Sequence, residues 1–100
     1  MSEYRCTIIT PTGKIFDEHI DSLSATGRTG SFGILGHHAP MVIALSHGPM
    51  TIRQEMTQSF FAVSSGVLEV NGNSDVILLA DSAMRVNTYD EAKATARPLT

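Results

Sequence analysis

Two runs of strand-forming residues and the turn between them fill the stretch Val67-Leu68-Glu69-Val70-Asn71-Gly72-Asn73-Ser74-Asp75-Val76-Ile77-Leu78-Leu79-Ala80. Valine, which occurs in both runs, and isoleucine, which occurs in the second, favour strands. The Asn71-Gly72-Asn73 turn is of the kind that uses positive backbone angles to join hairpin strands. The run 76–80 is apolar on both strand faces, which is typical of a central strand with cover on each side. These features predict a hairpin whose second strand crosses the middle of a core.

The rest of the chain up to Arg85 repeats this pattern of short apolar runs. Glycine, asparagine or proline interrupts the runs roughly every eight to twelve residues, the spacing of an all-β sandwich or barrel with about eight to ten short strands. The run Phe60-Phe61-Ala62-Val63 is again apolar on both faces, which predicts a second central strand. The clearest predicted strands span residues 4–10, 14–25 with a break, 31–34, 41–45, 50–53, 59–64, 67–70 and 75–80.

The composition changes after residue 86. Residues 90–97 are rich in helix formers and begin with two acids, Asp90 and Glu91, which favour the positive end of a helix. Pro98 ends this pattern. A helix of about eight residues frays in water unless it packs against something. We therefore predict a β-sandwich domain over residues 1–86 and a short helical or disordered tail over residues 87–100.

Length and charge narrow the class of protein. One hundred residues suffice for one compact core. The net charge of -3 provides no positive field for phosphate groups, which argues against binding to DNA or RNA. The lone Cys6 cannot form an internal disulfide, and no apolar run reaches the ~20 residues of a membrane span. These features predict a soluble protein of a reducing compartment, which would reach a membrane only through a protein partner.

No catalytic, cofactor-binding or metal site is predicted. His37 and His38 are neighbours on an extended segment and point to opposite sides, so they are poorly placed to share one ion. The glycines of residues 27–33 are not followed by the Lys-Ser/Thr pair of a phosphate-binding loop. Residues 64–66 lack the preceding glycine of a nucleophile elbow. The expected surface is therefore one for contact rather than chemistry.

A contact surface is predicted in the stretch Gly30-Ser31-Phe32-Gly33-Ile34-Leu35-Gly36-His37-His38-Ala39-Pro40-Met41. Its three glycines let another chain approach closely, and Pro40 favours an extended Ala39. Further motifs in register with it are Ile9-Thr10-Pro11-Thr12-Gly13-Lys14-Ile15-Phe16, Phe61-Ala62-Val63-Ser64, Gly66-Val67-Leu68-Glu69-Val70 and residues 76–81. With these motifs the chain resembles, over roughly residues 4–94, the amino-terminal domain of the epsilon subunit of F-type ATP synthase.

This resemblance implies a flattened ten-stranded β-sandwich of two five-stranded sheets with a short carboxy-terminal helical tail. It also implies a non-catalytic rotor subunit of the central stalk, which fastens the gamma subunit to the ring of c subunits so that ion-driven rotation reaches catalytic sites in other subunits. The protein would lie on the cytoplasmic face of a bacterial energy-transducing membrane without inserting into it, and would hold no cofactor. By family analogy the contacts with gamma and the c-ring come from Ser31, Phe32, His37, His38, Ala39, Met41, Val42 and Ile43.

Some positions depart from the family pattern. Ser31 stands where the family often has an acid, which argues against an ionic contact with the ring at that position. Residues 89–94 partly match the family's (Ile/Leu)-Asp-x-x-Arg-Ala nucleotide motif, which makes Asp90 and Lys93 candidate remnants of that site. Lysine lacks the planar fork of donors of arginine, which predicts weak or no ATP binding. No second helix follows in this sequence, so the family's inhibitory helical hairpin is expected to be missing.

Two other classes of protein fit the sequence less well. A freestanding β-sandwich binding module for a peptide or sugar is the main alternative, but a sugar binder normally presents aromatic platforms, and this chain has no tryptophan and two tyrosines. An enzyme of cupin-like form would need a closely spaced histidine pair and a following glutamate for its metal, and the sequence lacks that pattern. The sequence therefore favours the rotor subunit.

Overall fold

A computed structural model describes residues 3–36, 39–73 and 75–95, which contain ten strands and one short helix. The strands are β1 (Tyr4–Thr10), β2 (Gly13–Ile20), β3 (Ser22–Gly27), β4 (Gly30–Leu35), β5 (Met41–Leu45), β6 (Gly48–Gln54), β7 (Thr57–Val63), β8 (Gly66–Val70), β9 (Val76–Ala80) and β10 (Ala83–Val86), and the helix is α1 (Tyr89–Thr95). Within the described residues, no helix is long and apolar enough to cross a membrane.

The strands form two five-stranded groups. The first sheet has the order β4-β3-β6-β7-β10, and the second sheet has the order β5-β8-β9-β1-β2. Neighbouring strands are antiparallel except for β1 and β9, which are parallel. A single residue pair, Gly27 of β3 with Leu45 of β5, continues the pairing from one sheet to the other. This arrangement confirms the predicted all-β fold and its two five-stranded sheets.

The chain passes between the sheets five times, and backbone hydrogen bonds hold the corners of two of these crossings. Asp21 separates β2 in the second sheet from β3 in the first, and its amide donates to the carbonyl of Arg53 at 2.8 Å. Ser46 lies between β5 and β6, and its amide donates to the carbonyl of Thr26 at 3.0 Å. Because both amides form hydrogen bonds, neither Asp21 nor Ser46 leaves an unpaired backbone donor at its corner. The predicted break within residues 14–25 is confirmed, and it lies at Asp21.

The core lies between the sheets and consists of alternate residues from each strand. On β1, Tyr4, Cys6 and Ile8 point inward, which confirms that Cys6 and Ile8 share a face. Burial, with a smaller effect from the charge of Asp17, raises the pKa of the Cys6 thiol to about 12, so the thiol stays protonated at neutral pH. The hydroxyl of Tyr4 donates to the carbonyl of Ile34 in the opposite sheet, which ties the two sheets together.

The turn after β8 differs from its prediction. Gly72 does not adopt a positive φ, whereas Gly13 in the β1–β2 turn does, with φ of 126°. The side chain of Asn71 closes the later turn instead, because its Oδ1 accepts hydrogen bonds from the amides of Asn73 at 2.8 Å and Asp75 at 3.1 Å. An asparagine that bonds to the backbone two residues ahead replaces the left-handed glycine that a tight hairpin turn would need.

The outer face of the first sheet is partly covered by α1. Ala92 is fully buried where the helix lies against β6 and β7, and Ala62, on the outward face of β7, is buried as well. The helix begins with reciprocal caps, because Thr88 Oγ1 accepts from the amide of Glu91 at 3.0 Å and the Glu91 carboxylate accepts from the amide of Asn87 at 3.0 Å. The sandwich itself therefore holds a helix that would fray alone, and the predicted cover on both faces of β7 is confirmed.

The same prediction is wrong for β9 in the chain by itself. Val76, Leu78 and Ala80 point into the core, but Leu79 on the outward face is 54% exposed. No helix lies on the second sheet in the described part of the chain, since α1 contacts β6, β7 and β10. The continuous apolar run correctly indicates that β9 lies in the middle of a sheet. It does not show that both faces of the strand are covered.

Candidate functional site

The predicted contact segment, residues 30–43, joins two edge strands. It begins as β4, at the edge of the first sheet, and ends in β5, at the edge of the second sheet. Gly30, with φ of 131°, opens the segment in a conformation that favours glycine. Because the segment passes from one sheet to the other, it presents residues of both sheets on the same side of the sandwich.

The structure divides the predicted contact residues into two groups. Ser31, Ala39 and Val42 are exposed, and Val42 is 70% exposed. Phe32, Met41 and Ile43 are partly buried and pack against the core. His37 and His38 lie outside the described residues. The exposed residues are therefore placed to meet another molecule, whereas the partly buried ones hold the segment on the sandwich.

A second surface, which the sequence analysis did not identify, lies on the outer face of the second sheet. Val67 of β8 pairs with Leu79 of β9, and Leu79 pairs in turn with Ile9 of β1. Val67 is 43% exposed and Ile9 is half-buried. We call this surface the outer patch, and it consists of Ile9, Val42, Ala44, Val67, Ile77 and Leu79. The signal that could have revealed it is the outward half of the apolar run 76–80.

Charged side chains flank the outer patch on β1 and β2. The guanidinium of Arg5 donates two hydrogen bonds to the Asp17 carboxylate, at 2.7 and 2.8 Å, and Lys14 Nζ donates a third at 3.0 Å. These bonds, from Arg5 first and Lys14 second, hold the pKa of Asp17 well below its usual range. Asp75 also lies on this flank, where its Oδ1 accepts from the amide of Arg5 at 3.1 Å, so two cations are matched by two carboxylates.

The opposite flank carries a negative charge. Glu69 of β8 is exposed, and it pairs across the strands with Val42 on one side and Ile77 on the other. It makes no ion pair with any other residue that the structure describes. The apolar surface therefore has an exposed carboxylate near β5 and β8 and a balanced group of charges near β1 and β2.

The candidate nucleotide residues lie on α1. Asp90 and Lys93 are both exposed, one helical turn apart, while Ala92 points into the sandwich. Neither side chain forms an ion pair in the described part of the chain. Lys93 is the one basic residue of α1 (Tyr89–Thr95), so this helix offers no second cation that could bind a phosphate chain.

A cavity of about 380 Å³ lies where the β2–β3 corner meets the β6–β7 hairpin. Its polar groups are largely used in holding the corner. Asp21 Oδ2 accepts from the amide of Glu55 at 2.6 Å, and Gln54 Nε2 donates to Glu18 at 2.9 Å and to the carbonyl of His19 at 3.0 Å. Among residues 3–36, 39–73 and 75–95, no three histidine, cysteine or acidic side chains are grouped to hold a metal ion. The hydrogen bonds around this cavity therefore stabilise the corner of the fold.

Comparison with known proteins identifies the class of this sandwich. Residues 3–86 match the family described as ATP synthase, Delta/Epsilon chain, beta-sandwich domain, and the chain belongs to that family. It is 44% identical over 94 residues to the ATP synthase epsilon chain of Desulforamulus reducens, with 92% of this chain and 69% of that protein covered. It is 39% identical over 92 residues to the ATP synthase epsilon chain of Pelotomaculum thermopropionicum, with 92% and 68% covered.

Solved structures share the fold. A chain of the Euglena gracilis mitochondrial ATP synthase superposes with a TM-score of 0.80 at 18% identity, over 91% of this chain and 59% of that one. A chain from the central stalk and c-ring of the Tetrahymena thermophila mitochondrial ATP synthase gives a TM-score of 0.70 at 18% identity, over 81% and 65%. This chain thus spans about two-thirds of the length of its relatives. None of these similarities supports a freestanding binding module.

Proposed function

We propose that this chain is a non-catalytic rotor subunit of an F-type ATP synthase, and that it fastens the gamma subunit to the c-ring. Family membership and the similarity to a chain of a central stalk and c-ring support this role. The observation that carries it is the division of residues 30–43 into exposed residues and core anchors. Ser31, Ala39 and Val42 are available for contact, and the side chains between them are fixed in the core. A segment held in this way transmits a load because it does not yield.

The location follows from the same proposal. The chain would lie on the cytoplasmic face of a bacterial energy-transducing membrane, attached through the complex. The sandwich of residues 1–86 would make the contacts, and residues 87–100 would be an appended segment. Asp90 and Lys93 would bind ATP weakly or not at all, since they offer one cation where a triphosphate needs several. Titration of the full chain with ATP measures this directly, and tight binding would contradict it.

Co-purification tests the proposed role. We expect the full chain to remain with gamma and the c-ring when ATP synthase is isolated from membranes. Ser31→Arg should lower the fraction retained about tenfold, because a bulky charge at an exposed contact must be desolvated. Met56→Arg is the matched control, because Met56 is 99% exposed at the tip of the β6–β7 hairpin. That hairpin lies beside the Ser22 end of β3, whereas Ser31 pairs with Thr26 at the other end. Isolation of an intact ATP synthase without this chain would refute the role.

A further inference from the structure

We propose that Asn71 and Gly72 form a self-modification site, at which Asn71 rearranges to aspartate or isoaspartate, and that the hydrogen bonds of the β8–β9 turn hold this reaction back in the folded protein. The site lies outside the contact segment, residues 30–43, and its chemistry does not depend on the proposed function. Asn71-Gly72 is the one Asn-Gly pair of the sequence. Glycine favours the reaction because it has no side chain to hinder its amide nitrogen.

The reaction consumes water and needs no cofactor. The amide nitrogen of Gly72 gives up its proton to a solvent base and attacks Cγ of Asn71, which forms a new C–N bond. The bond from Cγ to the side-chain nitrogen breaks, and this nitrogen takes up a proton and leaves as ammonia. Water then opens the resulting succinimide ring. Opening at Cγ restores the normal main chain with an aspartate, whereas opening at the backbone carbonyl carbon leads the main chain through the side chain and gives isoaspartate. No atom is oxidised or reduced.

The first argument is the accessibility of the attacking group. Gly72 is exposed, and an added Cβ on it would lie in open space, so no neighbouring atom crowds this residue. Its amide donates to no acceptor within the part of the chain that the structure describes. A solvent base can therefore reach the amide proton of Gly72, which is the first requirement of the reaction.

The second argument is the set of hydrogen bonds that fixes Asn71. Its Oδ1 accepts from the amides of Asn73 at 2.8 Å and Asp75 at 3.1 Å, and its own amide donates to the carbonyl of Asp75 at 2.9 Å. Ring closure brings Cγ to bonding distance of the Gly72 nitrogen, so the backbone and the side chain of Asn71 must rotate together. The hydrogen bonds oppose this rotation, and the ring forms only after the turn opens locally.

The third argument is the burial of the residues that close the turn. Val70 of β8 pairs with Val76 of β9, and these side chains are 2% and 0% exposed. Because the core holds both residues, the ends of the turn seldom separate, and the free energy of opening sets the rate of the reaction. The two products then differ. Aspartate keeps an oxygen that can accept from Asn73 and Asp75, whereas isoaspartate adds a methylene group to the main chain and displaces these bonds.

The test incubates the full chain at mildly alkaline pH, in native buffer and in urea that unfolds it. Mass spectrometry of proteolytic peptides detects the mass gain at Asn71, and we expect it to appear at least about tenfold more slowly in native buffer. Gly72→Ala should slow the reaction several-fold in urea, because the added methyl group hinders the nitrogen, and its open position lets the variant fold.

Asn71→Asp is the matched control for the products. It has the same composition and charge as the isoaspartate form, which anion exchange separates from the unmodified chain. We expect the isoaspartate form to unfold at a lower urea concentration than Asn71→Asp, because its turn bonds are displaced.

Each result decides one part of the proposal. If Asn71 stays unmodified in urea, or if Gly72→Ala leaves the rate unchanged there, the site is refuted. Equal rates in native buffer and in urea would refute the protection by the turn. An isoaspartate form as stable as Asn71→Asp would contradict the displaced hydrogen bonds. These outcomes do not involve gamma or the c-ring, so they leave the proposed function to its own test.

Discussion

The two sheets have similar apolar strands but different outer surfaces. β7 and β9 each alternate between core residues and outward apolar residues, yet Ala62 on β7 is buried beneath α1 while Leu79 on β9 is exposed. The difference shows that the sequence of such a strand can indicate that both faces need cover. It does not indicate which part of the molecule provides that cover. In the first sheet the chain provides the cover. In the second sheet, no helix among the described residues provides it.

The largest expected effect tests how closely β8 and β9 pack together in the second sheet, whose outer face is not covered by α1. Gly66 of β8 lies so close to β9 that an added Cβ would collide with the carbonyl oxygen of Leu79 and lie 2.8 Å from the Cα of Ala80. Backbone atoms cannot move aside as a side chain can, so Gly66→Ala should lower the free energy of unfolding by about 3 kcal/mol. Urea denaturation measures this value. Gly72→Ala, in open space, is the control and should change it little.

The next effect would remove the difference between the sheets. Ala92→Asp places a carboxylate at a fully buried position, so it should detach α1 and expose the outward face of β7. We expect a loss of about 2 kcal/mol, limited by the free energy of docking the helix, together with fast hydrogen exchange in α1. Ala94→Asp, at an exposed position of the same helix, should leave both measurements nearly unchanged.

A matched change on the bare sheet should have almost no effect on stability. Leu79→Thr removes an exposed side chain and keeps a residue that favours strands, so the free energy of unfolding of the isolated chain should change by less than about 1 kcal/mol. Thermal or urea unfolding checks this value. A loss as large as that of Ala92→Asp would show that the outward face of β9 is already packed in the isolated chain.

The smallest effect concerns the charged flank of the outer patch. The pKa of Asp17 is lowered by Arg5 and Lys14, so its contribution to stability is present above the ordinary aspartate pKa of 3.8 and is lost as the pH falls toward the pKa in the folded state. Asp17→Asn should therefore be slightly less stable than the unchanged chain at pH 7, with the difference shrinking below about pH 4. Glu69→Gln, which breaks no ion pair, should show no such convergence.

The strands were largely predictable because turn residues and apolar runs recur regularly. The predicted spans of β1 and β5 match the observed ones, Tyr4–Thr10 and Met41–Leu45. β10 was not among the clearest predicted strands, since it has four residues and includes Arg85. The docking of α1 could not be predicted, because it depends on the burial of Ala92 in a short helix that contains another alanine.

The candidate site was predicted less completely than the fold. Residues 41–45 are apolar throughout, so their sequence does not show that Val42 points outward and Ile43 inward. Only the pairing of β5 with β8 assigns these directions. The outer patch brings together residues from four strands, which no local pattern can place side by side. Its most informative local signal, the run 76–80, predicts cover on both faces, whereas Leu79 on the outward face is exposed.

The single pair between Gly27 and Leu45 has a mechanical consequence. It makes the backbone hydrogen bonding continuous from β10 at one end to β2 at the other, so the two layers are not held by side-chain packing alone. A twisting force applied to either layer would therefore act on backbone hydrogen bonds at this pair as well as on the packed side chains of the core. In a subunit that turns with a shaft, this seam would limit shear between the layers and reduce the elastic lag of each rotational step.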